Sequence, residues 1–169
     1  MLLNEQDTQT VWEQVNDKLR FRPDAKYRGH SLLWWKRPFR LPRPWAVYVL
    51  DDMTQEQIEG LAAAVKGCLI AATEPGERLY ALDWQHSAFL FDPRKDEEQR
   101  SVRLEDEAGE YWVVFPLYYP DGDYSFFLDE DFRFGYLGHP WRREIWVFGE
   151  RLLPEIEQIA PALGWRKLR

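Results

Sequence analysis

Apolar side chains recur at helical spacing in three segments of the chain. In residues 7–19 the apolar face consists of Val11, Trp12, Val15 and Leu19. Polar and charged residues fill the opposite face, a pattern that predicts an amphipathic helix. A second stripe of period near 3.6 runs through residues 54–73, where Thr54 and Gln57 have the spacing of a capping box. Pro154 fits the first turn of a third helix, because its missing N–H needs no partner there.

Seven short segments are rich in β-branched and aromatic residues and are bounded by Pro, Gly or Asp, which predicts strands. They are residues 45–50, 78–84, 87–91, 111–117, 124–128, 132–137 and 144–148. Strands joined by short connections pair as an antiparallel meander. We therefore expect one α+β domain over residues 1–169: a curved antiparallel sheet of about six to seven strands with about three helices packed on one face. The charge runs at residues 94–100 and 105–109 predict exposed loops.

Composition narrows the class of protein. Hydrophobic residues make up 45% of the chain and the net charge is −7, so the chain can bury a core and should be repelled by nucleic acid and anionic lipid. The first residues lack the basic-then-apolar order of a signal peptide, and no apolar run approaches the roughly 18 residues that span a bilayer. Cys68 lies on the apolar stripe of the second helix, which predicts an inert core thiol. We expect a soluble, cytoplasmic protein.

Positive charge is concentrated in one segment. Residues 20–43 hold eight Lys or Arg against a single acid, Asp24. Interleaved rings such as Trp34 and Trp35 also occur in proteins that bind single-stranded nucleic acid, but the acidic total and the missing signature motifs argue against that partner. We expect these cations to pair with acids elsewhere on the molecule or on a second copy, in which case a homodimer would dissociate as salt rises.

The aromatic content is high, with nine Trp, eight Tyr and ten Phe among 169 residues. Large rings are mostly buried, so a core role is the expectation for any single ring. Trp and Tyr also dominate the residues that carry binding energy at protein interfaces. Some of these rings are therefore candidates for contact with a partner.

Motifs that carry chemistry are few. The chain has no Gly-rich phosphate loop, His-Glu-x-x-His, Cys-x-x-Cys or Gly-x-Ser-x-Gly pattern, so we predict no catalytic residue, metal ligand set or cofactor. Three segments at strand ends and turns supply the candidates for ligand or partner binding. They are Asp83, Trp84 and His86, then Asp121 and Asp123, and finally His139 and Trp141.

Neighbouring strands could bring these three segments into one cleft. There a His–Asp pair could act as a general base, or nitrogen and oxygen ligands could bind a divalent metal. We favour the simpler alternative, in which Asp121 and Asp123 form a tight turn and His139 stabilises a Gly-His-Pro bend.

The same segments resemble a bacterial family, the domain of unknown function 2716. The resemblance is carried by residues 80–86, 120–124, 135–141 and 147–150, and by Trp12 ahead of the Phe-x-Pro at residues 21–23. It covers most of the chain and departs at the acidic run near Glu97. The resemblance implies a small cytosolic bacterial protein, and it carries over no reaction, cofactor or catalytic residue.

Two function hypotheses follow. The first is a non-enzymatic binding module that presents an aromatic, acid-rimmed surface to a protein partner, as small immunity and antitoxin proteins do. The second is a small-molecule-binding protein or hydrolase that uses a cleft of His, Asp and Trp side chains. A flat aromatic patch would favour the first hypothesis, and a cleft with converging polar groups and perturbed titrations would favour the second.

Overall fold

The structure of the protein is a computed structural model that describes residues 1–23, 38–95, 101–106 and 109–169. The chain divides into two compact units, Met1–Leu3 with Arg43–Arg169, and Asn4–Pro42. A single domain over the whole chain stays a prediction. Most of the basic segment at residues 20–43, with Trp34 and Trp35, lies outside the described residues, as does most of the charge run at residues 94–100.

Three α-helices and nine strands form within the described ranges. In chain order they are α1 (Glu5–Leu19), β1 (Trp45–Val49), α2 (Gln55–Ala72), β2 (Leu79–Asp83), β3 (Ser87–Phe91), β4 (Val102–Asp106), β5 (Gly109–Val113), β6 (Ser125–Asp129), β7 (Gly135–His139), β8 (Glu144–Phe148), α3 (Leu153–Ile159) and β9 (Arg166–Lys167). A short 3-10 helix, Pro140–Arg142, lies between β7 and β8. None of the helices described is long and apolar enough to cross a membrane.

Seven strands form one antiparallel sheet in the order β3-β2-β6-β7-β8-β1-β9. The predicted α+β class, the antiparallel sheet of seven strands and the three helices are thereby confirmed. The chain's first residues extend the sheet at the β3 edge, where the Leu3 N–H donates to the Ala88 carbonyl and the Leu90 N–H donates to the Met1 carbonyl.

The smaller unit contains α1, and Asn4 is the N-cap of this helix. The Asn4 side chain accepts a hydrogen bond from the Asp7 N–H at 2.8 Å, and this satisfies a backbone donor that the first turn leaves open. After the helix ends, the rings of Phe21 and Phe39 stack with centroids 5.5 Å apart. The Arg40 N–H donates to the Leu19 carbonyl and ties this return segment to the end of α1.

Helices α2 and α3 pack on one face of the sheet. The helix α2 starts at the predicted capping box, in which Thr54 and Gln57 exchange backbone-to-side-chain hydrogen bonds. Its apolar stripe and that of α3 share one hydrophobic core with Phe127, Tyr136 and Val147 of the sheet. Cys68 belongs to this core, and burial raises the pKa of its thiol to about 11. At neutral pH the thiol therefore stays protonated, in agreement with the predicted inert role.

The opposite face of the sheet is buried as well. Alternate residues such as Leu82, Phe126 and Leu137 are fully buried there, although side chains of neighbouring positions point to opposite faces of a strand. Every position of β6 and β7 is buried. Both faces of these strands are therefore covered, which explains why their central residues, 126–128 and 136–137, are apolar without alternation.

The strand prediction at residues 111–117 needs a correction. The strand β5 ends at Val113 and, among the strands that the structure describes, pairs only with β4 in a separate two-stranded sheet. Pro116 has no N–H to donate to a ladder, and the Phe115 ring turns into the core, 5.0 Å from Phe91 between centroids. The predicted exposed loop at residues 105–109 is also wrong in part, because β4 runs to Asp106 and β5 begins at Gly109.

Residues 114–123, called here the crossing segment, cover one end of the helix-facing side of the sheet. The Ser87 hydroxyl donates to the Val114 carbonyl at 3.0 Å. Further along, the Tyr118 ring stacks on Phe127 at 4.3 Å between centroids, and the Tyr136 hydroxyl donates to the Tyr118 carbonyl at 2.8 Å. The crossing segment thereby contacts strands from β3 to β7, and it ends shortly before β6 begins.

An ion-pair network stabilises the turn that follows β6. Arg133 donates to both carboxylate oxygens of the buried Asp129, at 2.7 and 2.6 Å, and also to Glu77 at 3.1 Å. Arg151 donates to the same Glu77 at 3.2 Å. The pKa of Glu77 is lowered to about 2, first by the hydrogen bond from the Glu74 backbone N–H and then by the two arginines.

We predict that Glu77→Gln lowers the free energy of unfolding at pH 7 by about 1 kcal/mol, because charge-assisted hydrogen bonds at a partly exposed site are lost. A carboxylate whose pKa is lowered from 4.5 to about 2 stabilises the fold above its ordinary pKa, and this stabilisation disappears as pH falls towards 2. Urea unfolding from pH 7 to 2.5 should therefore show the difference shrinking below pH 4.5. The control Glu150→Gln should have little effect at any pH, and a constant difference for Glu77→Gln would contradict the account.

Candidate functional site

The buried ring of Tyr124, just before β6, contacts residues from two distant segments of the chain. It packs edge-on against Trp84 at 5.7 Å and against Trp141 at 5.1 Å between ring centroids. The His139 ring lies 4.7 Å away. We call these four rings the sheet-end cluster. The segments around Trp84 and Trp141 therefore meet at one end of the sheet.

Strand pairing explains why they meet. The strand β6 lies between β2 and β7, and Ser125 pairs with Asp83 on one side and with Gly138 on the other. The Trp84 N–H also donates to the Tyr124 carbonyl at 3.0 Å, so this pairing continues one residue beyond the strand. At Gly138 an added Cβ would lie 2.5 Å from the Ser125 hydroxyl oxygen. Only glycine leaves room for this approach.

His139 is enclosed within the cluster. Its side chain is fully buried, and its Nε2 lies 3.2 Å from the Tyr124 hydroxyl. The next residue, Pro140, ends β7 and begins the short 3-10 helix that carries Trp141. His139 thus occupies a packing position at the bend, and it faces aromatic rings rather than a polar cleft.

His86 has a different environment. Its side chain is 63% exposed, and its Nε2 lies 3.5 Å from an oxygen of Asp123, whose side chain is 19% exposed. Asp123 also accepts a hydrogen bond from the Tyr124 N–H at 2.9 Å. The Asp123 carboxylate therefore holds the backbone just before β6 and also faces the exposed imidazole of His86.

Three acids surround this end of the sheet, and we call Asp83, Asp121 and Asp123 the acidic corner. Asp83 is half-buried, and burial raises its carboxyl pKa, with a further rise from the charge of Asp123 and an opposing effect of His86. Asp121 is exposed. Among the described residues no Lys or Arg forms an ion pair with any of the three carboxylates.

The turn from Tyr119 to Tyr124 has the geometry that the sequence suggested. The Asp121 N–H donates to the Tyr119 carbonyl, and the Asp123 N–H donates to the Asp121 carbonyl. Gly122 has φ +82°, a conformation that L-residues rarely adopt. The two aspartates are thus turn residues. The Asp121 carboxylate is exposed, and the Asp123 carboxylate faces His86.

The sequence-predicted residues separate into two groups. The first group packs around Tyr124 and consists of Trp84, His139 and Trp141. In the second group, the exposed His86 lies beside two carboxylates, those of Asp83 and Asp123. Asp121 lies at the rim. Across residues 1–23, 38–95, 101–106 and 109–169, no three His, Cys, Asp or Glu side chains are grouped so as to hold a metal ion.

Sequence reasoning missed two features of this end of the molecule. Tyr124 was treated only as the first residue of a strand, although its place between a turn aspartate and an apolar run was a usable signal. The pattern of residues 111–117 predicts one strand with Pro116 at an edge or a bulge, yet residues 114–117 leave the sheet and Val114 and Leu117 are exposed. The prolines on either side of Leu117, Pro116 and Pro120, were the signal that this stretch leaves the sheet.

Comparison with known proteins gives a family match and a relative. A family model described as "Protein of unknown function (DUF2716)" matches residues 2–153. The "Uncharacterized protein YxiI" of Bacillus subtilis (strain 168) is 32% identical over 162 residues, which cover 90% of this chain and 89% of the relative. No solved structure matches the chain.

We predict that Tyr124→Phe lowers the free energy of unfolding by about 1–2 kcal/mol, because it leaves the buried His139 Nε2 without the hydroxyl partner. The aromatic packing around the ring is retained in this variant. Equilibrium urea unfolding followed by tryptophan fluorescence measures the effect. Tyr111→Phe removes an exposed hydroxyl and is the matched control, so equal losses in the two variants would contradict the predicted contribution of the buried contact.

Proposed function

We propose that this chain, which belongs to the DUF2716 family of proteins of unknown function, is a non-enzymatic protein-binding module. The observation that supports the proposal is the acidic corner beside the sheet-end cluster. Asp83 precedes Trp84 and Asp123 precedes Tyr124 in the chain, so acids and rings lie at the same end of the sheet and point to its two faces. Trp141 is 36% exposed at the same end.

Charge complementarity determines the kind of partner. Three carboxylates without a Lys or Arg partner in the described chain favour a ligand that brings its own positive charge. An exposed indole such as that of Trp141 adds a favourable surface for a Lys or Arg side chain. We therefore propose that the acidic corner binds a basic surface of another protein.

Such a module would act by occupying its partner, in the manner of small immunity or antitoxin proteins. Acidic groups around the contact speed the encounter with a basic partner, and contact with the exposed Trp141 ring slows its dissociation. The net charge of −7 acts in the same direction. No bond-making step is needed for this role.

A second candidate, the hydrolase or small-molecule-binding protein, has one observation in its favour, the contact between His86 and Asp123 at 3.5 Å. The imidazole is mostly exposed there, and His139 lies in aromatic packing instead of facing it. A general base works best when water is excluded and the base is held within hydrogen-bond distance of the proton that it accepts. The geometry therefore supports the binding module better.

We predict that Asp121→Lys abolishes partner retention, because it places a positive charge where a basic surface would dock. Immobilised wild type, Asp121→Lys and Glu150→Lys would be exposed to a bacterial lysate, and the retained proteins quantified by mass spectrometry. Glu150→Lys makes the same change of charge at another exposed position and is the control.

The expected result is a basic protein that wild type and Glu150→Lys retain, that Asp121→Lys loses at least tenfold, and that elutes as salt rises. Equal retention by Asp121→Lys and wild type would contradict the proposal. Retention of nothing above the blank matrix would contradict it as well.

A further inference from the structure

The hairpin of β4 and β5 is a sheet of only two strands. In the described part of the chain, the backbone of β4 pairs with no strand other than β5. The outer edge of β4 therefore presents backbone donors and acceptors that are available to a further strand. The hairpin also carries large exposed rings, Trp112 at 62% and Tyr111 at 43%.

The sequence of β4 is complementary to itself. It reads Val-Arg-Leu-Glu-Asp, with Arg103 and Glu105 on either side of Leu104. If two copies of β4 run antiparallel with the two Leu104 residues opposite each other, Arg103 of each copy lies opposite Glu105 of the other. Directly opposed residues of an antiparallel pair have their side chains in contact. One register thus forms two ion pairs, whereas β5 has one acid, Glu110, and no base, so two copies of β5 form none.

We propose that β4 pairs with β4 of a second copy about a twofold axis at Leu104, forming a four-stranded sheet in the order β5-β4-β4-β5. The contact is isologous, so it closes as a dimer and does not propagate into fibres. It provides partners for the exposed backbone edge and places Leu104 between two ion pairs. None of the residues of this contact belongs to the acidic corner.

The intramolecular neighbours of Arg103 are compatible with this arrangement. In one copy Arg103 forms an ion pair with Glu110 on β5, and the Arg103 side chain is 55% exposed. Residues 103, 105, 110 and 112 lie on one face of the hairpin, because side chains alternate along each strand. In the dimer each Arg103 therefore lies between Glu110 of its own copy and Glu105 of the other. A contact of two five-residue strands is small, so we expect dissociation in the micromolar range.

Charge exchange across the twofold axis tests the proposal. Sedimentation velocity and light scattering would be measured from about 5 to about 500 µM at about 0.1 M salt. Wild type should shift from its monomer mass of 20.3 kDa towards twice that value. Glu105→Arg should weaken dimerisation at least tenfold, because two arginines then face each other twice, and Glu150→Arg should leave it unchanged. The double variant Arg103→Glu with Glu105→Arg should restore it.

An equimolar mixture of Arg103→Glu and Glu105→Arg should form heterodimers with an affinity near that of the wild-type dimer, although each variant alone dimerises at least tenfold more weakly. Arg103→Glu also opposes Glu110 within the hairpin, so far-ultraviolet circular dichroism and thermal melts would accompany each variant. If that variant is misfolded, Glu105→Arg and the double variant decide the outcome. Wild type that remains monomeric at every concentration overturns the proposal. Dimerisation by Glu105→Arg equal to that of wild type, or a double variant that stays monomeric, also overturns it.

Discussion

The packing of the Tyr124 ring against Trp84 and Trp141 is the contact on which the candidate site depends. The two indoles come from connections that lie 57 residues apart in the chain, and the ring between them is fully buried. Because Tyr124 immediately precedes β6, the pairing of β6 with β2 on one side and β7 on the other is enough to place the ring between the two indoles. The position of the acids follows, since Asp83 and Asp123 are chain neighbours of these rings.

The crossing segment accounts for the polarity of this end of the sheet. Along most of the helix-facing side, α2 and α3 supply apolar cover, and the sheet residues beneath them are apolar. At the other end the cover comes from residues 114–123, which contain the turn aspartates. Phe115 and Tyr118 bury apolar surface there, while Val114 and Leu117 point outwards. A surface with both apolar and acidic groups results, as expected for a site that binds a charged partner.

Much of the fold could be predicted, because local patterns determine it. The helix α2 follows from Thr54, Gln57 and an apolar stripe, and β6 follows from an apolar run between turn residues, whereas the strand predicted at residues 132–137 forms at Gly135–His139. The strand β4 was missed because Arg103 and Glu105 alternate with Val102 and Leu104, so that half of the strand reads as a charged loop. That the candidate residues bind a ligand or partner stays a prediction, and their separation into a ring cluster and an acidic corner was not predicted. His139 is enclosed and His86 is exposed because their side chains point to different sides of the sheet. Strand pairing between distant segments decides this, and no local sequence pattern reveals it.

The central claim is that the segments around Trp84 and Trp141 meet on the ring of Tyr124, and nuclear Overhauser spectroscopy tests it most directly. With selectively labelled tyrosine and tryptophan, the account predicts cross-peaks from the Tyr124 ring protons to the indole protons of both tryptophans. Ring-centroid separations of 5.7 and 5.1 Å place these protons well within range. Cross-peaks to only one indole, or to neither, would contradict the account, because the two segments would then not share one end of the sheet.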